Sequence, residues 1–153
     1  MEPKIEEKEE IKLVGLIDRG KYAGDIDICG LWDDFEKVSK KIKNQIQGVS
    51  YEVHIDVDDL GQRHHLCFAG VEVKEIKEIP LSCFVKVLPS SKYAVFTHRF
   101  AEGGFTKAFE KIYRWIETSK FTQSYPFDVQ YYDHRFKSSD DPDSVIDIYV
   151  PIE

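Results

Sequence analysis

Three cysteines in 153 residues, Cys29, Cys67 and Cys83, are odd in number and widely spaced, and no CxxC pair occurs. That usage excludes a disulfide framework or a zinc knuckle and reads as reduced, mostly buried thiols in a cytoplasmic protein. Basic charge is equally scarce. With 21 Lys and Arg against 28 Asp and Glu, the formal net charge is −7, so the clustered basic surface that direct nucleic-acid binding requires is not expected. No run approaches the ~20 apolar residues of a membrane span. The lead MEPKIEEKEEIK is charged, has no signal-peptide core and reads as a frayed tail of a soluble, unexported chain. A GxSxG elbow, a glycine-rich phosphate loop and an HExxH helix are all missing, so the common enzyme classes and a bound cofactor lack support. The acidic runs DVDD and SSDDPD do not have EF-hand spacing and read as solvated turns.

What is present is patterned. IKLVGLIDRG is strand-like and ends in glycine; Leu31, Phe35, Val38 and Ile42 then recur at helical spacing, with Gly48 placed to end the helix. VSYEVHIDVDD alternates, putting Tyr51, Val53, Ile55 and Val57 on one face and Glu52, His54 and Asp56 on the other. DLG turns the chain into another strand, HHLCFAGVEV. The second half repeats these elements: strand material in FVKVLPSSKYAVFTHRF broken at Pro89, an AEGG loop, a helical stripe Phe105, Phe109, Ile112 and Ile116, then strands FDVQYYDHRF and VIDIYVPI around the turn KSSDDPDS.

The two halves align beyond pattern. LWDDFEKVSKKI lies over FTKAFEKIYRWI, LIDRG over FTHRF, and YEVHIDVDD over FDVQYYDHR. One domain spanning 1–153 is expected, built from a duplicated strand-helix-strand-strand unit with repeat halves near 11–74 and 81–153. Its fold class is α+β: an antiparallel sheet, one main helix per half and a central cleft. A seam between related halves is a natural ligand cleft. In this alignment His54 corresponds to Gln130, each on the polar face of its strand. On a helical wheel Trp32 and Tyr113 share a shoulder of their apolar stripes, while Trp115 sits on the opposite shoulder.

LWDDFEKV, GVSYEV, FAGVEVKEIKEIP, KYAVFTH, YRWI and YDHRF…DPDSVIDIYVPI together resemble the GyrI-like small-molecule-binding family, the effector-binding domain also appended to AraC-type and MerR-type transcription regulators. The resemblance runs from about Ile11 to Ile152. It implies a cleft for lipophilic, often cationic, multidrug-type ligands, with Trp32, Tyr51 and Trp115 as aromatic wall residues. Tyr132 lies two positions after the place where relatives commonly carry a pocket glutamate. Here that place holds Gln130, which offers hydrogen bonds but neither charge nor a proton. The departure shifts the expected ligand from a cation toward a neutral, hydrogen-bonding aromatic molecule, unless Asp128 or Asp133 supplies the carboxylate. The resemblance also implies two other activities: hydrolysis of cyclopropane-containing genotoxins, or modulation of DNA gyrase. It further implies a regulator that works through a protein partner, since no DNA-binding domain is evident.

The ligand-binding set expected from these readings is Trp32, Tyr51, His54, Tyr113, Trp115, Gln130 and Tyr132, with no catalytic residues and no metal. His64 and His65, adjacent in a strand, point to opposite faces and cannot share an ion. One of them could meet His54 and Asp56 across a hairpin, but polar edge positions are the favoured reading.

Overall fold

Both expected periodicities, two for strands and 3.6 for helices, fold as the patterning dictates. The computed structural model describes residues 2–59 and 61–153; Leu60, in the middle of the DLG turn, lies outside the described residues. The elements are β1 (Lys4–Lys8), β2 (Ile11–Gly20), α1 (Ile28–Ser39), β3 (Ser50–Val57), β4 (His64–Glu72), β5 (Phe84–Leu88), β6 (Ser91–Arg99), α2 (Phe105–Thr118), β7 (Phe127–Tyr132) and β8 (Val145–Ile152). The eight strands form one sheet in the order β1-β6-β8-β7-β3-β4-β2-β5, antiparallel throughout and curled into a half-barrel. Interchanging β1 with β5, β2 with β6, β3 with β7 and β4 with β8 returns the same order read from the other end. The duplicated unit is therefore visible in the topology. Each leading strand crosses over, β1 pairing with β6 and β5 with β2.

The central pairing, β3 with β7, places Val53 opposite Val129, Glu52 opposite Gln130 and His54 opposite Asp128. Since the sequence alignment equates Val53 with Val129, the pseudo-twofold passes through that pair. Alternation then divides the sheet. One face buries Leu13, Tyr51, Val53, Phe68, Tyr93, Phe127, Val129 and Tyr149 in a cluster that includes no helix residue. The other face carries the helices: α1 through Phe35 and Leu31 onto β2 and β4, α2 through Ala108 and Ile112 onto β6 and β8. Between the helices, the polar faces of β3 and β7 are left as a floor.

Three expectations are corrected. The charged lead is not a frayed tail: Lys4–Lys8 pairs with Ser91–Val95, and its charges protect a sheet edge that would otherwise invite another chain. Lys8 also lies 4.6 Å from the centroid of the Tyr149 ring. Helix α1 stops at Ser39 rather than near Gly48, because the Gln45 amide donates to the carbonyls of Ser39 and Ile42 at 3.0 Å each and so closes the helix end; Ile42 is still buried in the following turn. The strand expected over FDVQYYDHRF ends at Tyr132, where Asp133 accepts hydrogen bonds from the backbone N–H and Nε of Arg135.

Candidate functional site

The cleft between α1 and α2 has a volume of about 740 Å³, within the range of drug-sized ligand sites. Its walls come from helical spacing. On α2, Phe105, Phe109 and Tyr113 follow one another at i, i+4 and i+8 along the edge of the buried stripe and line the cleft. On α1, Asp27 caps the helix by accepting from the Gly30 N–H at 3.0 Å, which sets Ile28, Cys29 and Trp32 on the cleft side. The Trp32 ring meets Tyr132 edge-on at 6.0 Å, and Tyr132 meets Phe136 at 4.8 Å. The result is an aromatic enclosure contributed by both halves.

The floor is polar and buried. Glu52 and Gln130, 5% exposed each, and His54 and Asp128 form a quartet around the pseudo-twofold. Trp32 Nε1 donates to Glu52 Oε1 at 2.7 Å, and His54 Nε2 donates to Glu52 Oε2 at 2.6 Å. His54 Nδ1 lies 2.8 Å from His65 Nε2, and His65 Nδ1 lies 3.0 Å from Asp56 Oδ1. Strand geometry explains each contact: Glu52 and His54 share a face at i and i+2, Asp56 sits directly opposite His65, and His54 meets His65 on the diagonal. Proton counting gives its charge. Apart from the longer contact of His54 Nε2 with Cys67 Sγ at 3.9 Å, three imidazole contacts with the carboxylates accepting need three N–H groups, two bonding to carboxylates and one between the rings, whereas two neutral imidazoles own only two. The pair therefore holds one extra proton, with His54 donating from both nitrogens and His65 passing its Nδ1–H to Asp56.

Burial pulls the His54 pKa down, but hydrogen bonds with Cys67 and Glu52 outweigh it and hold the imidazolium to about 10. Burial also pushes the Cys67 thiol up, so Glu52 is the anion that His54 answers. Asp128 differs. Its Oδ1 is buried and, among the described residues, has no hydrogen-bond partner; burial raises its pKa to about 7, with His54 pulling the other way and the charges of Asp56 and Glu52 adding to the rise. Burial likewise lifts the Tyr113 phenol, and the charges of Asp128 and then Asp56 add to that rise. Gln130 accepts from the Tyr132 hydroxyl at 2.7 Å.

Of the seven residues expected from sequence, Trp32, His54, Tyr113, Gln130 and Tyr132 line this one cleft. Tyr51 does not. It lies on the opposite face of β3, in the helix-free cluster, and donates its hydroxyl to Glu72 at 2.7 Å. Trp115 also turns away, packing on Phe96 and stacking on Phe121 at 5.9 Å, because the opposite shoulder of α2 faces the sheet rather than the seam. The sequence offered the meeting of His65 with His54 and Asp56 only as the less favoured alternative to polar edge positions, and the structure makes that contact; Glu52 as its further member was missed, Phe105 and Phe109 were read only as core, and Asp128 was treated as a fallback. Of the two carboxylates kept open beside Gln130, Asp128, two residues before it, lines the cleft, and Glu52 stands opposite Gln130.

Fold and cleft define the class, a duplicated α+β domain with a ligand-sized aromatic cavity on its pseudo-twofold. The chain belongs to the Cass2 family of integron-associated effector binding proteins, whose family profile matches residues 4–152. It is 31% identical over 154 residues to the transcriptional regulator BrlR of Pseudomonas aeruginosa, covering 99% of this chain and 56% of the regulator; the chain thus spans about half the length of that relative. Among solved structures it is similar to SAV2435 bound to tetraphenylphosphonium, with a TM-score of 0.75 at 19% identity over 100% of this chain and 94% of the other. An integron cassette protein of Vibrio cholerae gives a TM-score of 0.67 at 15% identity, covering 98% and 95% of the two chains. At such identities the structures establish a common fold. Among the described residues no helix is long and apolar enough to cross a membrane.

Proposed function

We propose that the chain is an effector-binding module whose cleft takes a lipophilic aromatic cation, with Asp128 as the group that recognises its charge. One observation carries this: a carboxyl on the floor of an aromatic cavity has a buried oxygen with no hydrogen-bond partner among the described residues. A buried charge without a partner is costly, and a cation brought in by an apolar body relieves that cost while the rings of Trp32, Phe105, Phe109 and Tyr132 cover the body. Glu52 is already answered by His54 and Trp32 and contributes field rather than a free partner. The complex of SAV2435 with tetraphenylphosphonium supports the reading by common fold. Membership of an effector-binding family supports it as well. Fluorescence of Trp32, titrated with tetraphenylphosphonium and with a neutral tetraphenyl compound of the same shape, is the test. Saturable quenching by the cation, at least tenfold tighter than by the neutral compound, is expected; equal affinity for both would sink the assignment of Asp128.

A further inference from the structure

At the cleft floor, three groups of different chemistry converge. Glu52 Oε2 lies 2.6 Å from His54 Nε2, and Cys67 Sγ lies 3.9 Å from the same nitrogen; one ligating atom from each residue falls within 4.8 Å of the others. Cys67 sits on β4 directly opposite His54 and is fully buried. Its thiol touches the Trp32–Glu52–His54–His65–Asp56 chain of hydrogen bonds at His54 Nε2, the nitrogen that also faces Glu52.

We propose that Glu52, His54 and Cys67 form a binding site for one divalent transition-metal ion, with the fourth position open toward the cleft. A thiolate, an imidazole and a carboxylate suit Zn²⁺ and its spectroscopic stand-in Co²⁺ and do not suit Mg²⁺ or Ca²⁺. The required movement is small. A tetrahedral ion with bonds of roughly 2.0 Å to N and O and 2.3 Å to S separates its ligand atoms by about 3.3–3.5 Å. The N···O pair opens from 2.6 Å by under about 1 Å, the N···S pair closes from 3.9 Å by about half an ångström, and the O···S pair, within 4.8 Å, closes by about 1 Å at most to the same span.

Charge and the surrounding hydrogen bonds fit equally well. Without metal the three groups are a carboxylate, an imidazolium and a thiol; with M²⁺ they are a carboxylate, a neutral imidazole and a thiolate. Two protons leave, one from His54 Nε2 and one from Cys67 Sγ, and one M²⁺ enters, so the buried site stays neutral throughout. The outer contacts survive unchanged. His54 Nδ1–H still donates to His65, His65 Nδ1–H still donates to Asp56, and Trp32 still donates to the far oxygen of Glu52. That is the supporting arrangement that orients a metal-bound imidazole. The site does not depend on the organic ligand of the cleft and stands or falls separately from it.

The test is Co²⁺ titration of the full chain, free of other metals and without organic ligand. One Co²⁺ per chain is expected, with a near-ultraviolet thiolate-to-cobalt band, the visible absorption of a four-coordinate ion and release of two protons in weakly buffered solution. The band should persist in the Cys29→Ser/Cys83→Ser double variant and vanish in Cys67→Ala, and Glu52→Gln should weaken binding at least tenfold. Should Cys67→Ala lose its folded circular-dichroism spectrum, His54→Gln decides in its place, since it keeps the thiol and removes the nitrogen. Absence of the thiolate band in the parent chain overturns the proposal. So does a band that survives His54→Gln, or one that disappears with Cys29 and Cys83.

Discussion

Replacing Asp128 by asparagine should make the protein more stable and a poorer cation binder. The carboxyl is raised from its ordinary 3.8 to about 7, first by burial, with Asp56 and Glu52 adding to the effect against the pull of His54. Because the folded value lies above the unfolded one, any stability this group contributes is fully present below pH ~4 and is lost as pH climbs through 7. At about 1.4 kcal/mol per pH unit the difference approaches roughly 4 kcal/mol at pH 8, an upper figure because water and neighbouring groups adjust. An amide in that place has the same shape and never ionises, so Asp128→Asn and parent should match near pH 4 and diverge by about 2–4 kcal/mol in favour of the variant at pH 8. Urea unfolding at the two pH values, in chelated buffer, measures the gap directly. The same substitution removes the charge that meets the ligand, and tetraphenylphosphonium affinity should fall at least tenfold. In the parent, that affinity should rise with pH up to about 7 and then level off, as the cation ceases to compete with a proton. Equal stability of the two proteins at pH 8, or unchanged cation affinity in the variant, would refute the claim that Asp128 is a strained, unpartnered carboxyl.

Glu52→Gln removes the anion that holds the His54 proton. The His54 pKa should drop from about 10 toward the ordinary histidine value, with the Cys67 contact keeping part of the rise, as followed by NMR of the ring protons, and stability at pH 7 should fall by about 3 kcal/mol. A histidine raised on folding stabilises below pH 6.5 and loses that contribution as pH rises through 10, so the parent alone should weaken between pH 8 and 10. Gly15→Ala should cost about 3 kcal/mol or more, because the added Cβ would run into the Ala69 carbonyl oxygen where Gly15 and Gly70 face each other across β2 and β4; thermal melting checks it. Tyr51→Phe should leave tetraphenylphosphonium binding unchanged, since the ring lies on the far face of β3.

Much of this architecture was legible because local periodicity and internal similarity are properties of short segments. The alternation in YEVHIDV and the i, i+4 stripe of FTKAFEKIYRWI specify faces without knowledge of partners. What was not legible depended on pairing. Nothing in KIEEK states that it will cross to β6, since an edge strand takes its partner from distant sequence. The Glu52–His54–His65–Asp56 chain needed the β3–β4 register, which a shift of one residue would have destroyed. Tyr51 is a different kind of miss. Strand alternation already set it opposite His54, so a site containing both conflicted with the pattern itself; family resemblance carried it in. Trp115 failed for the same reason, since its shoulder of α2 is not the shoulder that Tyr113 shares with the cleft.

Gln130 acquires its meaning from the pseudo-twofold. Glu52 and His54 stand two residues apart on β3, and their equivalents on β7 are Asp128 and Gln130, in the same relation to each other. In the first half the histidine answers its carboxylate. In the second half a glutamine takes the histidine's place and turns its oxygen to Tyr132, so Asp128 is left without a cation of its own. The neutral amide thus does not empty the cleft of charge; it keeps one carboxyl available. Gln130→His tests this directly, since it rebuilds in the second half the pair that exists in the first. A histidine there should bond Asp128 and bring the aspartate pKa back toward its ordinary range. Tetraphenylphosphonium affinity should then fall at least tenfold, while the folded circular-dichroism spectrum is retained. Calorimetry across pH 5–8 would follow both effects together. Undiminished cation affinity in a folded Gln130→His protein would show that the unpaired state of Asp128 is not what the cleft uses.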